Sequence, residues 1–227
     1  MLVFIGILIL ASYNEASYAG GQKPSEIFLR ALKSAPTEYH REALLAKDPT
    51  CNYVFDFYNA KVGVVEAKGG RIVTAHAGNF PALVNAGVAL GVAHIAPCGL
   101  IDPHTHPRAT IIAYVIKGEF LTGFYLENGI DYVTETVKEG QAIVIPQAAV
   151  HFELNSACTP AVILGAYSTE DPGLLSATAF IQQFPTKIVG AALGGLSEND
   201  VKAQVKALPD LPSQNVEKCL RKCGLKT

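Results

Sequence analysis

The 227-residue chain is short of charge, at 17% charged residues and a formal net charge of −2. No basic stretch exceeds a few residues. A nucleic-acid partner therefore finds no electrostatic footprint. Phosphate loops are also missing: Gly69-Gly70 and Gly194-Gly195 are isolated pairs outside any phosphate-cradling pattern. Ser168, Ser176 and His151 share no nucleophile-elbow setting. No Asn-x-Ser/Thr sequon occurs, so N-linked glycosylation is not expected. Internal repeats, low-complexity tracts and βαβ alternation are absent as well, and the last absence argues against a doubly wound fold.

What remains is enough for a sizeable core. Hydrophobic residues make up 49% of the chain, and 20 Gly with 13 Pro suit a fold with many turns. Leu2 to Ala11 form a continuous apolar run, followed by small residues ending at Ser17-Tyr18-Ala19. That pattern predicts a signal peptide over residues 1–19 and a secreted product. No Lys or Arg precedes the run, which leaves a truncated leader or a buried N-terminal segment as alternatives. The run is too short for a stable membrane span. The cysteines are Cys51, Cys98, Cys158, Cys219 and Cys223. Secretion permits disulfides. The odd number leaves at least one thiol free or paired between chains. Cys219 and Cys223 either tie the charged tail to the body or pair locally.

Along the chain, residues 24–47 carry a helical pattern through Ile27, Phe28, Leu32, Leu44 and Leu45, broken into two helices at Pro36. Residues 20–56 are expected to form a helical or irregular arm. From Val62 the period becomes that of strands. Segments 71–75, 88–95, 111–116, 120–126, 132–137, 142–145, 150–154 and 162–166 are separated by turns such as Glu127-Asn128-Gly129. Many short strands of this kind predict an all-β sandwich or barrel over residues 57–190. Residues 191–227 are expected to form a helical tail, with one helix starting after Ser197 and another near Val216 to Arg221.

Among six histidines, three stand out. His104 and His106 lie two apart and share one side of an extended segment. His151 opens a later strand that a barrel would bring to the same point. Three imidazoles in a lined cavity suit Mn, Fe, Zn, Ni or Cu. Hydrogen-bonded histidines at a barrel mouth are the alternative, and His94 is assigned such a role.

The segments PCGLIDPHTHPRATIIAYVIKGEF (97–120) and GQAIVIPQAAVHFELN (140–155) resemble the two cupin motifs of germins, and the closest resemblance is to their spherulin-like branch in slime moulds and fungi. FPALVNAGVALG, Asp171-Pro172-Gly173 and the cysteine tail from Asn215 extend it. The resemblance implies a single cupin double-stranded β-helix (a jelly-roll barrel), secretion, dimers that associate into hexamers, and often Mn held by three His and one Glu. It carries the metal role to His104, His106 and His151. The Glu does not carry over, because Ile111 follows Pro107-Arg108-Ala109-Thr110. Manganese is therefore doubtful, and Zn, Cu, Ni or Fe suit three imidazoles as well. Of the other carboxylates, Glu153 is expected about 6–7 Å along the strand from His151, within reach through a water. Asp102 is expected in a loop, and Glu119 past a strand end. Ala148 stands where the family pattern has Gly. The positions matching two substrate-handling asparagines of oxalate-oxidising germins read Gly91 and Ile101, which argues against that activity.

The reading at this level is a secreted structural, storage or stress-associated protein with a degenerate metal site, more a binding protein than an enzyme. A metal-dependent oxidoreductase of superoxide dismutase or dioxygenase type is one alternative. A protein binding a small apolar ligand in the barrel, against Ile111, Ala113 and Val115, is the other. The arms at 24–48 and 197–224 are the expected means of homo-oligomer assembly.

Overall fold

The computed structural model describes residues 23–48, 53–209 and 213–226. The expected leader and Cys51 lie outside the described residues. The described residues open with two helices, α1 (Glu26–Ser34) and α2 (Glu38–Leu45). Ser25 caps the first by accepting the Phe28 N–H, and Thr37 caps the second by accepting that of His40. Pro36 falls between them, as its missing N–H requires. Leu32 and Leu45 bury themselves against Ala77 and Val84, which docks the arm onto the barrel.

Among the described residues twelve strands follow: β1 (Val64–Ala67), β2 (Gly70–Ala75), β3 (Ala89–Ile95), β4 (Gly99–Thr105), β5 (Ile111–Lys117), β6 (Glu119–Tyr125), β7 (Val133–Lys138), β8 (Ala142–Ile145), β9 (Val150–Leu154), β10 (Ala161–Tyr167), β11 (Leu175–Ser176) and β12 (Ser213–Asn215). Helices α3 (Ala179–Gln183), α4 (Thr186–Ala192) and α5 (Glu198–Ala207) precede β12, and α6 (Glu217–Lys222) follows it. One sheet runs β1-β2-β3-β10-β5-β8 and the other β11-β4-β9-β6-β7, with β12 also on β4. All pairings are antiparallel. This is the jelly-roll arrangement of a cupin barrel.

Ile95, Ile101, Ala113, Val115, Phe120, Val137 and Ile163 fill the space between the sheets. Each large apolar side chain so buried contributes about 1.5–3 kcal/mol relative to an exposed one. Strand β5 shows the alternation plainly: Ile111, Ala113 and Val115 are buried, while Ile112, Tyr114 and Ile116 face outward.

Three expectations need correction. Asp102 lies in strand β4, not in a loop, whereas Glu119 does lie past the end of β5, where it opens strand β6. The tail is not helical throughout, because Ser213–Asn215 adds a strand beside residues 99–101. Its approach depends on Gly69, where a Cβ would stand 2.3 Å from the Gln214 carbonyl oxygen. Disulfides Cys98–Cys219 and Cys158–Cys223 fix the tail to the barrel, so local pairing of Cys219 with Cys223 does not occur. No helix among the described residues is long and apolar enough to cross a membrane.

Candidate metal centre

Strands β4 and β9 carry the centre. Pairing sets His104 opposite His151 and Ile101 opposite Glu153, with a register shift between. Three residues on β4 therefore match two on β9, which is the signature of a β-bulge. In a regular strand, residues three apart such as Ile101 and His104 would face opposite sides. The bulge absorbs one residue, and both are buried in the barrel. Pro103, which has no N–H to give a ladder, sits in this bulge. His106 follows the end of β4 and is buried too.

The three rings converge. Their centroids lie 4.2 Å apart for His104 and His151, 5.1 Å for His104 and His106, and 5.6 Å for His106 and His151. One nitrogen from each lies within 4.8 Å of the others. Each Nδ1 meets a backbone carbonyl: Asp102 for His104, Gly173 for His106 and Ala149 for His151. A carbonyl only accepts, so each Nδ1 carries the proton and donates it. The Nε2 lone pairs are thereby left for the cavity, an arrangement that orients metal-ligating imidazoles.

Sequence reasoning missed the Gly173 contact, which spans 67 residues. Arg108 secures that loop through its Asp171 ion pair at 2.9 Å, and its Nε donates to the Asp171 carbonyl. The Asp171-Pro172-Gly173 resemblance was the only available signal. Burial lowers the pKa of all three imidazoles. It holds His106 at about 4, with the Gly173 carbonyl opposing and His151 adding to the shift. His104 is pushed well down by burial, then by His151 and His106, and His151 is lowered chiefly by burial. All three are neutral at pH 7, the state a metal ligand needs.

Glu153 stands closer than its strand spacing suggested. Its side chain reaches back toward His151, placing Oε1 3.8 Å from Nε2. Burial raises its pKa to about 8. His151 Nε2 and Glu153 Oε2 are both buried without a hydrogen-bond partner. Two orphaned polar atoms facing one cavity fit a cation between them.

The rest of the cavity is largely apolar. Ile72, Val92, Ala93, Ile111, Ala113 and Ile163 line it, in a space of about 120 Å³. That volume holds about four water molecules. Tyr167, which the sequence did not flag, lines the cavity with its ring 4.8 Å from that of His106. Burial, then Glu153, raises its pKa. A Cβ on Gly91 would stand 3.1 Å from the Tyr167 hydroxyl oxygen, so a large side chain at 91 and Tyr167 compete for one space. His94 stays outside the centre, with its ring against Tyr58. His40 lies on α2, and His76 accepts the Gly78 N–H beyond β2. Cys98, Cys219 and Cys223 also cluster, but as disulfide sulfurs they offer no thiolate.

Comparison with known proteins agrees with this architecture. The cupin family model matches residues 57–202. Spherulin-1A of Physarum polycephalum is 39% identical over 193 residues, covering 85% of this chain and 77% of the relative. Germin-like protein subfamily 2 member 2 of Arabidopsis thaliana is 38% identical over 128 residues, covering 55% and 58% respectively. Among solved structures, oxalate oxidase superposes with a TM-score of 0.57 at 25% identity, covering 66% of this chain and 74% of that one. Bacillus subtilis oxalate decarboxylase superposes with a TM-score of 0.62 at 20% identity, covering 71% and 40%, a likeness of fold alone. With two paired motifs on facing strands and three converging imidazoles, the chain belongs to the cupin family, in its germin-like, spherulin-like group.

Proposed function

We propose that this is a secreted metal-binding cupin of structural, storage or stress-associated type, with His104, His106 and His151 as the imidazole ligands. The observation carrying the proposal is the shared geometry of the three rings. Every Nδ1 is tied to a carbonyl, and the remaining nitrogens are left for one cavity. A bound ion would supply Lewis acidity or one-electron chemistry there. The chain itself holds the imidazoles neutral and fixes their orientation.

Oxalate turnover is not part of the reading. A dianion needs donors or positive side chains around it. Positions 91, 101 and 111 provide Gly, Ile and Ile, and among the described residues no Lys or Arg lines the cavity. Small volume and apolar walls favour a second reading, in which the centre meets a ligand of few atoms, such as dioxygen or superoxide. We also propose self-association. Ile112, Tyr114 and Val144 expose apolar surface side by side on β5 and β8.

Elemental analysis and metal titration of the purified, secreted protein test the centre. About one ion per chain is expected, falling to near zero in His104→Ala and His151→Ala. Protein that stays metal-free after incubation with Mn, Zn and Cu would falsify the metal reading.

A further inference from the structure

A carboxylate enclosed in an apolar cavity requires a cation, a proton or a full set of hydrogen bonds. Glu153 lacks the full set, since its Oε2 is buried without a partner. The paired residue on β6, Thr122, spends its hydroxyl on the Phe152 carbonyl at 2.6 Å. Across β4 its partner is Ile101, which offers no polar atom. Among the described residues no Lys or Arg lines the cavity. What Glu153 does face is His151, whose Nε2 is equally unpartnered.

The separation of these two groups is informative. Donors each about 2.0–2.2 Å from one metal ion lie no more than roughly 4.4 Å apart. Glu153 Oε1 and His151 Nε2 are 3.8 Å apart, inside that limit, while the carboxylate stands outside the 4.8 Å group formed by the three imidazoles and joins it by turning toward His104 and His106. The imidazole nitrogens, within 4.8 Å of one another, need only slight contraction to meet it. From these observations we propose that Glu153 is the anionic ligand of the three-histidine centre, supplied by β9 in place of a carboxylate at position 111. The inference rests on the metal-binding reading of His104, His106 and His151.

Moving the carboxylate to β9 has a consequence for the cavity. His104, His151 and Glu153 all stand on β4 and β9, in one sheet. The facing sheet then presents mostly small or apolar groups near the ion, including Ala93, Ile111, Ala113 and Ile163, with Thr74 and Tyr167 as its polar side chains. Ligands come from one wall, and an apolar surface for a small molecule comes from the other. The added charge and hard oxygen favour Mn or Fe(II) over the softer ions that three imidazoles alone would select.

The test titrates Mn(II) into metal-free protein, following the free ion by electron paramagnetic resonance, with Zn(II) measured in parallel by calorimetry. Glu153→Gln keeps the shape and removes the charge. It should weaken Mn binding at least tenfold and Zn binding by a smaller factor, without lowering the metal-free melting temperature. The double variant Glu153→Gln with Ile111→Glu should regain Mn affinity. If that variant does not fold, Glu153→Asp takes its place and should retain more Mn affinity than Glu153→Gln. Mn affinity within twofold of wild type in Glu153→Gln overturns the proposal. Equal losses of both ions together with a lower metal-free melting temperature also overturn it, since they mark general damage. Wild-type protein that binds neither ion overturns the metal reading as well, so the two failures are distinct.

Discussion

Ala148 has a backbone φ of 64°, in the left-handed region that an ordinary side chain avoids. Its N–H reaches the His106 carbonyl, so this strained turn lies between two of the imidazoles and cannot simply relax. Replacing Ala148 with Gly removes the Cβ conflict, at some entropic cost in the unfolded chain. The net effect should be a gain of about 0.5–1 kcal/mol. It would be seen as a higher urea midpoint at unchanged slope. A lower midpoint would show that the Cβ makes contacts worth more than the strain. Among single residues, the three histidines were legible because their positions lie in two motifs. Glu153 was legible only as a position. Strand spacing fixes Cα atoms, whereas the side chain folds back along the strand by rotation about its own bonds. Tyr167 gave no signal, since an aromatic at a strand end usually signifies packing.

Among the elements, strands with clean alternation were read from sequence close to their true limits, β5 and β9 being examples. Strand β4 was hidden because Asp102 and Pro103 interrupt the period, and the bulge they create is what aligns His104. Strand β12 was hidden for a different reason: Ser213–Asn215 is polar and three residues long, and it pairs only because the tail is held beside β4. Two disulfides do the holding, one from α6 and one from the Cys223 that caps it. Replacing Cys98 and Cys219 together with Ser should cost about 2 kcal/mol, the low end for a native bridge, because Cys158–Cys223 still tethers the tail. Amide exchange at residues 213–215 should accelerate while β9 stays protected. Unchanged exchange there would mean that β12 holds by its ladder alone.

On the scale of the molecule, the two-sheet barrel followed from the run of short strands and from the resemblance between motifs. The contribution of helices α3 and α4 within residues 57–190 did not, because they are short and lack a clear apolar period. The outer face also carries information. Ile112 and Val144 are cross-strand partners and both are exposed. A contiguous apolar strip near the sheet edge at β8 is costly in water unless covered. Sedimentation should give a species of two or more chains at micromolar concentration, and the double variant Ile112→Lys with Val144→Lys should shift it toward monomer. A wild-type protein that sediments as a monomer would remove self-association from the functional reading.

The bulge at Asp102-Pro103 also sets what the chain can survive when its length changes. The bulge absorbs one surplus residue and so keeps His104 in phase with Ile101. Adding a further residue to that stretch, beyond the one the bulge absorbs, would turn the imidazole to the opposite face of the sheet. Many exchanges of one amino acid for another are compatible with the bulge, but an added residue is not. For this segment, spelling is negotiable and counting is not.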